Sequence, residues 1–558
     1  MVTRLISLLY KEWSGLHQAA FLLGLSSLAA QVLALVRDRL LASTFGAGAE
    51  LDIYYTAFRI PDLIYVTFAS IVSVTVLIPF ILRYKEKEGT HQVEKFLSSI
   101  ATVFSLATLL VGLLAFWLMP LLAPFIAKGF SSSAQADLVY LSRILLLSPL
   151  LLGLSNFLGA ITQSYRKFLA YTLSPVLYNI GLIIGILWLY PLYGLAGLAW
   201  GVVIGAIFHL AIQIPSVYRL GLMPRPTWGI DWKEIKEVVV VSLPRTLTLA
   251  VHQISLTVLV GIGSLMAVGS IAVFNFAFNL QSVPLIIIGV SYSVAAFPTL
   301  AALFSKGETK KFVGKIETAI RHILFWSLPA MTLFIILRAQ IVRVILGSGN
   351  FSWSDTRLVA AALSLFVVSV VAQSFVQLFV RAYYASGRTK VPLFVNIFSS
   401  TVIILAAFIF TYLFDHILIF RYFIEILLRV DMVPGTSILM LPLAYSFGIT
   451  VNALIYWLIF GRDFAPFDPL VYRSAFQSFA AAVMAGFTAY HSLNILLPYI
   501  NQETYSGVFL QGFGAGMFGL VSAGALLFIF KNVELSEFIN ALSARVWREP
   551  IRVGEEEI

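Results

Sequence analysis

Runs of about twenty apolar residues recur along almost the whole chain, and nothing constrains its fold more. At 1.5 Å per residue a helix of that length crosses the ~30 Å hydrocarbon layer of a bilayer. Inside that layer every backbone N–H and C=O needs an internal partner, so such runs fold as helices. They are continuous rather than alternating, which excludes a β-barrel. Charge agrees with this reading. Only 11% of the residues are Asp, Glu, Lys or Arg and 59% are hydrophobic, whereas a soluble domain carries about 25% charged residues. An all-α polytopic membrane protein is expected. About fourteen spanning helices fall near 17–43, 56–83, 96–119, 136–163, 169–190, 194–215, 237–263, 271–304, 313–337, 355–384, 391–413, 438–460, 472–497 and 504–530.

The loops give this count a direction. Even-numbered loops hold nineteen Lys and Arg residues, among them Arg83, Lys85, Arg166, Arg225, Lys311, Arg388 and Arg462, while odd loops hold six. Basic loops stay in the cytoplasm, so the even loops and both termini are expected there. The net charge of +10 is thereby a matter of topology and needs no nucleic acid. Residues 2–14, with Arg4, Lys11 and Trp13, read as a short helix lying in the cytoplasmic interface, and Val533–Trp547 as another.

An internal repeat divides the chain. Pro175 is followed four residues later by Asn179, and Pro392 by Asn396; Pro79 and Pro298 each precede a charged turn. The near-equal offsets suggest two six-helix lobes in the same orientation, related by a pseudo-two-fold along the membrane normal, with a cavity between them. The expected organisation is an N-lobe over 1–215, a cytoplasmic linker over 216–236, a C-lobe over 237–462, two further helices over 463–530 and a cytoplasmic tail over 531–558. Within the C-lobe, residues 414–437 read as an insertion. Arg421, Glu425 and Arg429 lie four apart and predict a polar stripe on an amphipathic helix flat on the outer surface.

Charges inside apolar helices are costly and normally face a protein cavity or mark a function. Here they gather between Ser26 and Pro79. An apolar helix runs into Arg37-Asp38-Arg39 and breaks at Phe45-Gly46-Ala47-Gly48; Asp52 and Ala57-Phe58-Arg59-Ile60-Pro61-Asp62-Leu63 follow. This stretch resembles the MurJ (MviN) family, the lipid II flippases of the multidrug/oligosaccharidyl-lipid/polysaccharide exporter superfamily. Weaker likeness continues through Gly349-Asn350-Phe351-Ser352-Trp353-Ser354-Asp355-Thr356 and Arg381–Pro392. Where family members usually carry further arginines in helices one and eight, this chain has Gln31 and Asn279. Where they carry a basic pair in helix two, it has Tyr65-Val66.

Catalytic signatures are missing: there is no P-loop, no G-x-S-x-G, no H-E-x-x-H and no cysteine. No cofactor is expected, and a transporter rather than an enzyme. Arginine suits phosphate because its planar fork donates two parallel hydrogen bonds. The resemblance implies that the phosphate belongs to lipid II, a polyprenyl-pyrophosphate glycan, moved across the bacterial inner membrane by a monomer that alternates access between its lobes. The expected substrate-binding set is Arg37, Asp38, Arg39, Asp52, Arg59, Arg245, Gln31 and Asn279, with Arg37, Asp52, Arg59 and Arg245 converging on one cavity. A multidrug antiporter working through Asp38 or Asp52, and a non-transporting scaffold, are the other classes open to such a chain.

Overall fold

The computed structural model describes residues 16–88, 90–165, 167–501 and 504–546. The expected interfacial helix at 2–14 lies outside them. Among the described residues, twelve helices are long and apolar enough to cross a bilayer, or thirteen when the pair Trp353–Val367 and Val370–Ala385, bent by 43°, is taken as one span. A thirty-residue helix, Leu16–Phe45, precedes them. This is consistent with about fourteen spans. We number them α1 (Leu16–Phe45), α2 (Ala49–Lys85), α3 (His91–Ile126), α4 (Ser132–Ser164), α5 (Phe168–Tyr193), α6 (Leu195–Arg219), α7 (Trp232–Gly263), α8 (Ser270–Ser305), α9 (Thr309–Ile336), α10 (the bent pair), α11 (Lys390–His416), α12 (Thr436–Asp463), α13 (Pro469–Tyr499) and α14 (Tyr505–Ile529).

Contacts divide the chain into two compact units. One holds residues up to Leu280, Ile345–Ala362 and Thr389–Gly448; the other holds Gln281–Val344, Leu363–Arg388 and the chain from Ile449 onward. In the first unit α5 and α6 cross backbone to backbone. A Cβ on Gly181 would stand 2.2 Å from the Cα of Gly205, and one on Gly201 2.4 Å from that of Gly185. Small residues at helix crossings replace the hydrophobic drive that lipid removes. In the second unit α13 packs along α14 and α9 around the buried Ala481, Ala485, Ala489, Ala515 and Ala523.

Helix α2 is not straight. It breaks at Phe58 and again at Val72. Pro61 has no N–H, so the carbonyl four residues earlier, on Ala57, loses its helical donor. The hydroxyl of Ser142 on α4 donates to that carbonyl at 3.2 Å. A proline kink is thus fixed by a neighbouring helix, as membrane depth requires.

The linker is shorter than its expected 216–236. Helix continues to Arg219 and resumes at Trp232, where Asp231 caps α7 by accepting from the N–H groups of Lys233 and Glu234. The insertion does contain a helix, Leu418–Leu428, about 16 Å long and too short to cross. Its polar stripe is corrected on two counts. Arg429 ends the helix in a left-handed conformation, φ 58°, so it leaves the face of Arg421 and Glu425. Of the remaining two, Glu425 is buried, paired to Arg421 at 3.0 Å and accepting from Thr436 at 2.6 Å, while the Arg421 side chain stays 48% exposed. Ile419, Tyr422, Phe423, Ile426 and Leu427 form the exposed side. Burying a carboxylate against two donors costs less than exposing it beside five apolar neighbours.

Candidate functional site

The charged residues between Ser26 and Pro79 lie on α1 and α2, and residues of α5 and α8 are among their partners. Near the start of α2 Asp52 is buried. Its Oδ2 accepts from the N–H of Gly269 at 2.6 Å and its Oδ1 from that of Ala272 at 2.8 Å. These are orphan donors of the first turn of α8, and a carboxylate there is stabilised by the helix dipole as well. Asp52 therefore caps α8 and does not hold an arginine in place.

One turn further in, Tyr55 and Arg59 share a face. Arg59 is buried; its Nη2 donates to Oδ1 of Asn275 on α8 at 2.8 Å, and Asn275 in turn donates to the Ile271 carbonyl at 2.7 Å. Nε of Arg59 and the hydroxyl of Tyr55 are buried with no hydrogen-bond partner among the described residues. The Tyr55 phenol also lies close to the charges of Asp38 and Arg37. There α1 contributes a salt bridge, Arg37 Nη2 to Asp38 Oδ1 at 2.7 Å. Arg37 donates from Nη1 to Asn179 of α5 at 3.3 Å, and Asn279 of α8 donates to Asp38 at 3.1 Å. Two asparagines four apart on α8, Asn275 and Asn279, thus address Arg59 and Asp38 from one helical face.

Further along α2 neutral contacts come first. Asn156 of α4 donates to the Tyr65 hydroxyl at 2.6 Å, and Ser70 meets Thr246 of α7 at 2.6 Å. Arg245 donates to the hydroxyl of Ser73 at 3.3 Å. The ladder ends in Arg83, held by both carboxylate oxygens of Glu237 at 2.9 and 3.2 Å, and in Tyr84, which donates to Glu234 at 2.5 Å.

Of the expected set, the structure brings together Arg37, Asp38, Arg59 and Asn279. It does not bring the four predicted charges to one point. Arg245 meets α2 at Ser73, fourteen residues and about 21 Å along the helix from Arg59. Arg39 lies two residues from Arg37, on another face of α1, and donates to the Ile345 carbonyl at 3.3 Å. Gln31 is half-buried, six residues before Arg37 and off its face. Sequence reasoning missed Asn275 and Tyr55 as site residues. The signal was present: Asn275 and Asn279 are four apart in an otherwise apolar helix, as are Tyr55 and Arg59. Asn179 was visible only as part of the repeat.

Comparison with known proteins bears on this arrangement. The family profile described as lipid II flippase MurJ matches residues 41–506. A probable lipid II flippase MurJ of Buchnera aphidicola is 27% identical over 381 residues, covering 67% of this chain and 74% of that protein. The lipid II flippase MurJ of Burkholderia cenocepacia is 22% identical over 398 residues, covering 70% and 77%. Among solved structures, a lipid II flippase MurJ in an inward closed conformation superposes with a TM-score of 0.70 at 22% identity, covering 95% of this chain and all of that one. An inward-facing MATE multidrug transporter of the MOP superfamily reaches 0.63 at 17% identity over 78% of this chain and 94% of that one. The structural likenesses establish the fold. The profile match, spanning well over half of the sequence, establishes the kinship: this chain belongs to the lipid II flippase MurJ family.

Proposed function

We propose that the chain is a flippase carrying a polyprenyl-pyrophosphate-linked glycan, with lipid II as substrate, from the inner to the outer leaflet by alternating access. The observation that carries this reading is the buried Arg59–Tyr55 pair. A guanidinium Nε and a phenol hydroxyl point inward without protein partners, next to a second arginine held by Asp38 and Asn179. Burying unpartnered donors is costly, and an anionic ligand with several oxygens would satisfy them. Arg37 is pre-positioned by its neighbours. Arg59 keeps one nitrogen on Asn275 and has others to give. The family name of the relatives supplies the lipid, and the chemistry of the site supplies the phosphate.

Alternating access requires two lobes, and we take them as 1–215 and 237–462. Asn179 and Asn396 support the duplication, since each donates to the carbonyl of the proline four residues before it, Pro175 at 3.0 Å and Pro392 at 2.7 Å. Polar side chains of α2 with partners on other helices recur from Asp52 to Tyr84, which supports a polar path along it. The chain acts as a monomer, without cofactor or catalysis, and the basic even loops support a cytoplasmic side for both termini.

The test is transport in proteoliposomes of fluorescent lipid II, set against an uncharged drug. Movement of lipid II, reduced in Arg37→Ala and Arg59→Ala, is the expected result. Movement of the drug and not of the lipid would replace this reading with an antiporter; movement of neither, in folded protein, would leave a scaffold. Sidedness is tested separately by a single cysteine at Ser131, which should react with an impermeant maleimide from outside.

A further inference from the structure

A second arginine stands where no substrate path explains it. Arg143 lies on the exposed face of α4, between Tyr140 and Leu147, which are 56% and 47% exposed. The adjoining wall of α3 is apolar and open, with Leu113, Trp117 and Leu121 at 50%, 74% and 65%. In a spanning bundle such a wall faces lipid. Part of the reason for an arginine here is local. Pro120 lacks an N–H, so the Phe116 carbonyl has no helical donor. Nε of Arg143 donates to that carbonyl at 3.1 Å, and its guanidinium lies 4.6 Å over the Phe116 ring.

That bond uses one of five N–H groups. The terminal nitrogens remain, and no described carboxylate pairs with them. Ser142, one residue earlier, repairs the equivalent break in α2 with a neutral hydroxyl. A neutral donor therefore suffices for a proline-freed carbonyl, and the charge at Arg143 is surplus to that task. A lipid-facing guanidinium is costly unless it snorkels to headgroup level or finds an anion. Asp137, six residues outward and about 9 Å away, marks the level at which charge returns to α4.

We propose that Arg143 binds the phosphate of an anionic phospholipid in the leaflet at the α3–α4 loop end, with the acyl chains lying along Leu113, Trp117 and Leu147. The phosphodiester accepts from the two terminal guanidinium nitrogens, while Nε stays on the Phe116 carbonyl. The site is distinct from the Arg37–Arg59 cluster and does not rest on the transported substrate.

The absence of cysteine makes a local probe simple. A fluorophore on Tyr140→Cys, in phosphatidylcholine nanodiscs, is quenched by chain-nitroxide lipids carrying either a phosphatidylglycerol or a phosphatidylcholine headgroup. Soluble glycerol 3-phosphate is added in a third arm. A basic residue near the surface favours anionic lipid by about fivefold, so phosphatidylglycerol should quench several times more effectively at matched content. At Phe513→Cys, an exposed position on α14, the two lipids should quench alike. Arg143→Gln keeps an N–H for the Phe116 carbonyl and removes the charge; it should bring the Tyr140 ratio down to the Phe513 value. Soluble phosphate should not displace the lipid. Equal ratios at the two labels in the wild-type background overturn the proposal, whether or not the glutamine variant folds. An unchanged ratio in Arg143→Gln, or displacement by glycerol 3-phosphate, overturns it as well.

Discussion

The two ends of α2 are closed by different kinds of contact. At the end near Asp52, the predicted outer one, backbone meets backbone. Gly349, at φ 56°, sits so that a Cβ would stand 2.3 Å from the Ser43 carbonyl oxygen, and a Cβ on Gly46, at φ 61°, would stand 2.8 Å from that of Asn350. Asn350 donates from its N–H to Ser43 at 2.9 Å and from its side chain to Thr44 at 2.7 Å, and Asp52 caps α8 close by. At the end near Arg83, the predicted inner one, side chains do the joining. Arg83 and Glu237 are 41% and 48% exposed. The first contact is made of backbone and depends on glycine at fixed positions. The second is solvated, screened by salt and remade one side chain at a time. The first is a rigid closure and the second a labile one.

The largest effect is expected where the rigid closure is broken. Gly349→Ala puts a methyl group into the Ser43 backbone at a left-handed φ. The conformational cost is about 1–2 kcal/mol, and overpacking adds roughly 1–3 kcal/mol. Melting in detergent should fall by several degrees and lipid transport more than tenfold. A variant as stable as the parent would show that the outer closure yields easily, and the contrast between the ends would disappear.

Next comes the cluster that lies inside the closed ends. Arg59→Lys keeps the charge and loses the planar fork, so transport should drop about tenfold at normal expression. Arg37→Lys should act in the same direction. Full activity of both, measured as flipping of labelled lipid, would reduce these arginines to depth markers.

The labile end should respond weakly. Glu237→Gln removes an exposed pair worth about 0–1 kcal/mol, and the melting temperature should barely move. Access from the inner side should still rise, read as faster maleimide labelling of Ser70→Cys. High salt should reproduce this in the protein with Glu237 intact, because exposed pairs are screened. Salt-independent labelling would mean that Arg83 and Glu237 are not the latch.

The smallest effect is assigned to Arg225, 3.9 Å from Glu94 and 83% exposed. Arg225→Ala should change stability by less than about 0.5 kcal/mol. A larger loss would point to the backbone of the linker, where the N–H of Arg225 bonds Ser98, rather than to charge.

The sequence by itself determined the class of the protein, the approximate number and order of its spans and the two helices where charge concentrates. These follow from local quantities: the length of an apolar run, the cost of a charge within it and the glycines that a close approach needs. It also placed a helix in the insertion. What only the tertiary structure decided is which partner each polar group takes. Asp52 looks from sequence like an arginine's counter-ion, yet its carboxylate reaches the start of α8, some 217 residues away. Arg245 looks like a member of the cationic cluster, yet α7 meets α2 a full 21 Å or so from Arg59. Glu425 faces protein instead of water for the same reason. A periodic pattern states which residues share a helix face. The direction in which that face points is set by helices distant in the chain, and in a bilayer each buried charge goes to whichever of them offers a donor.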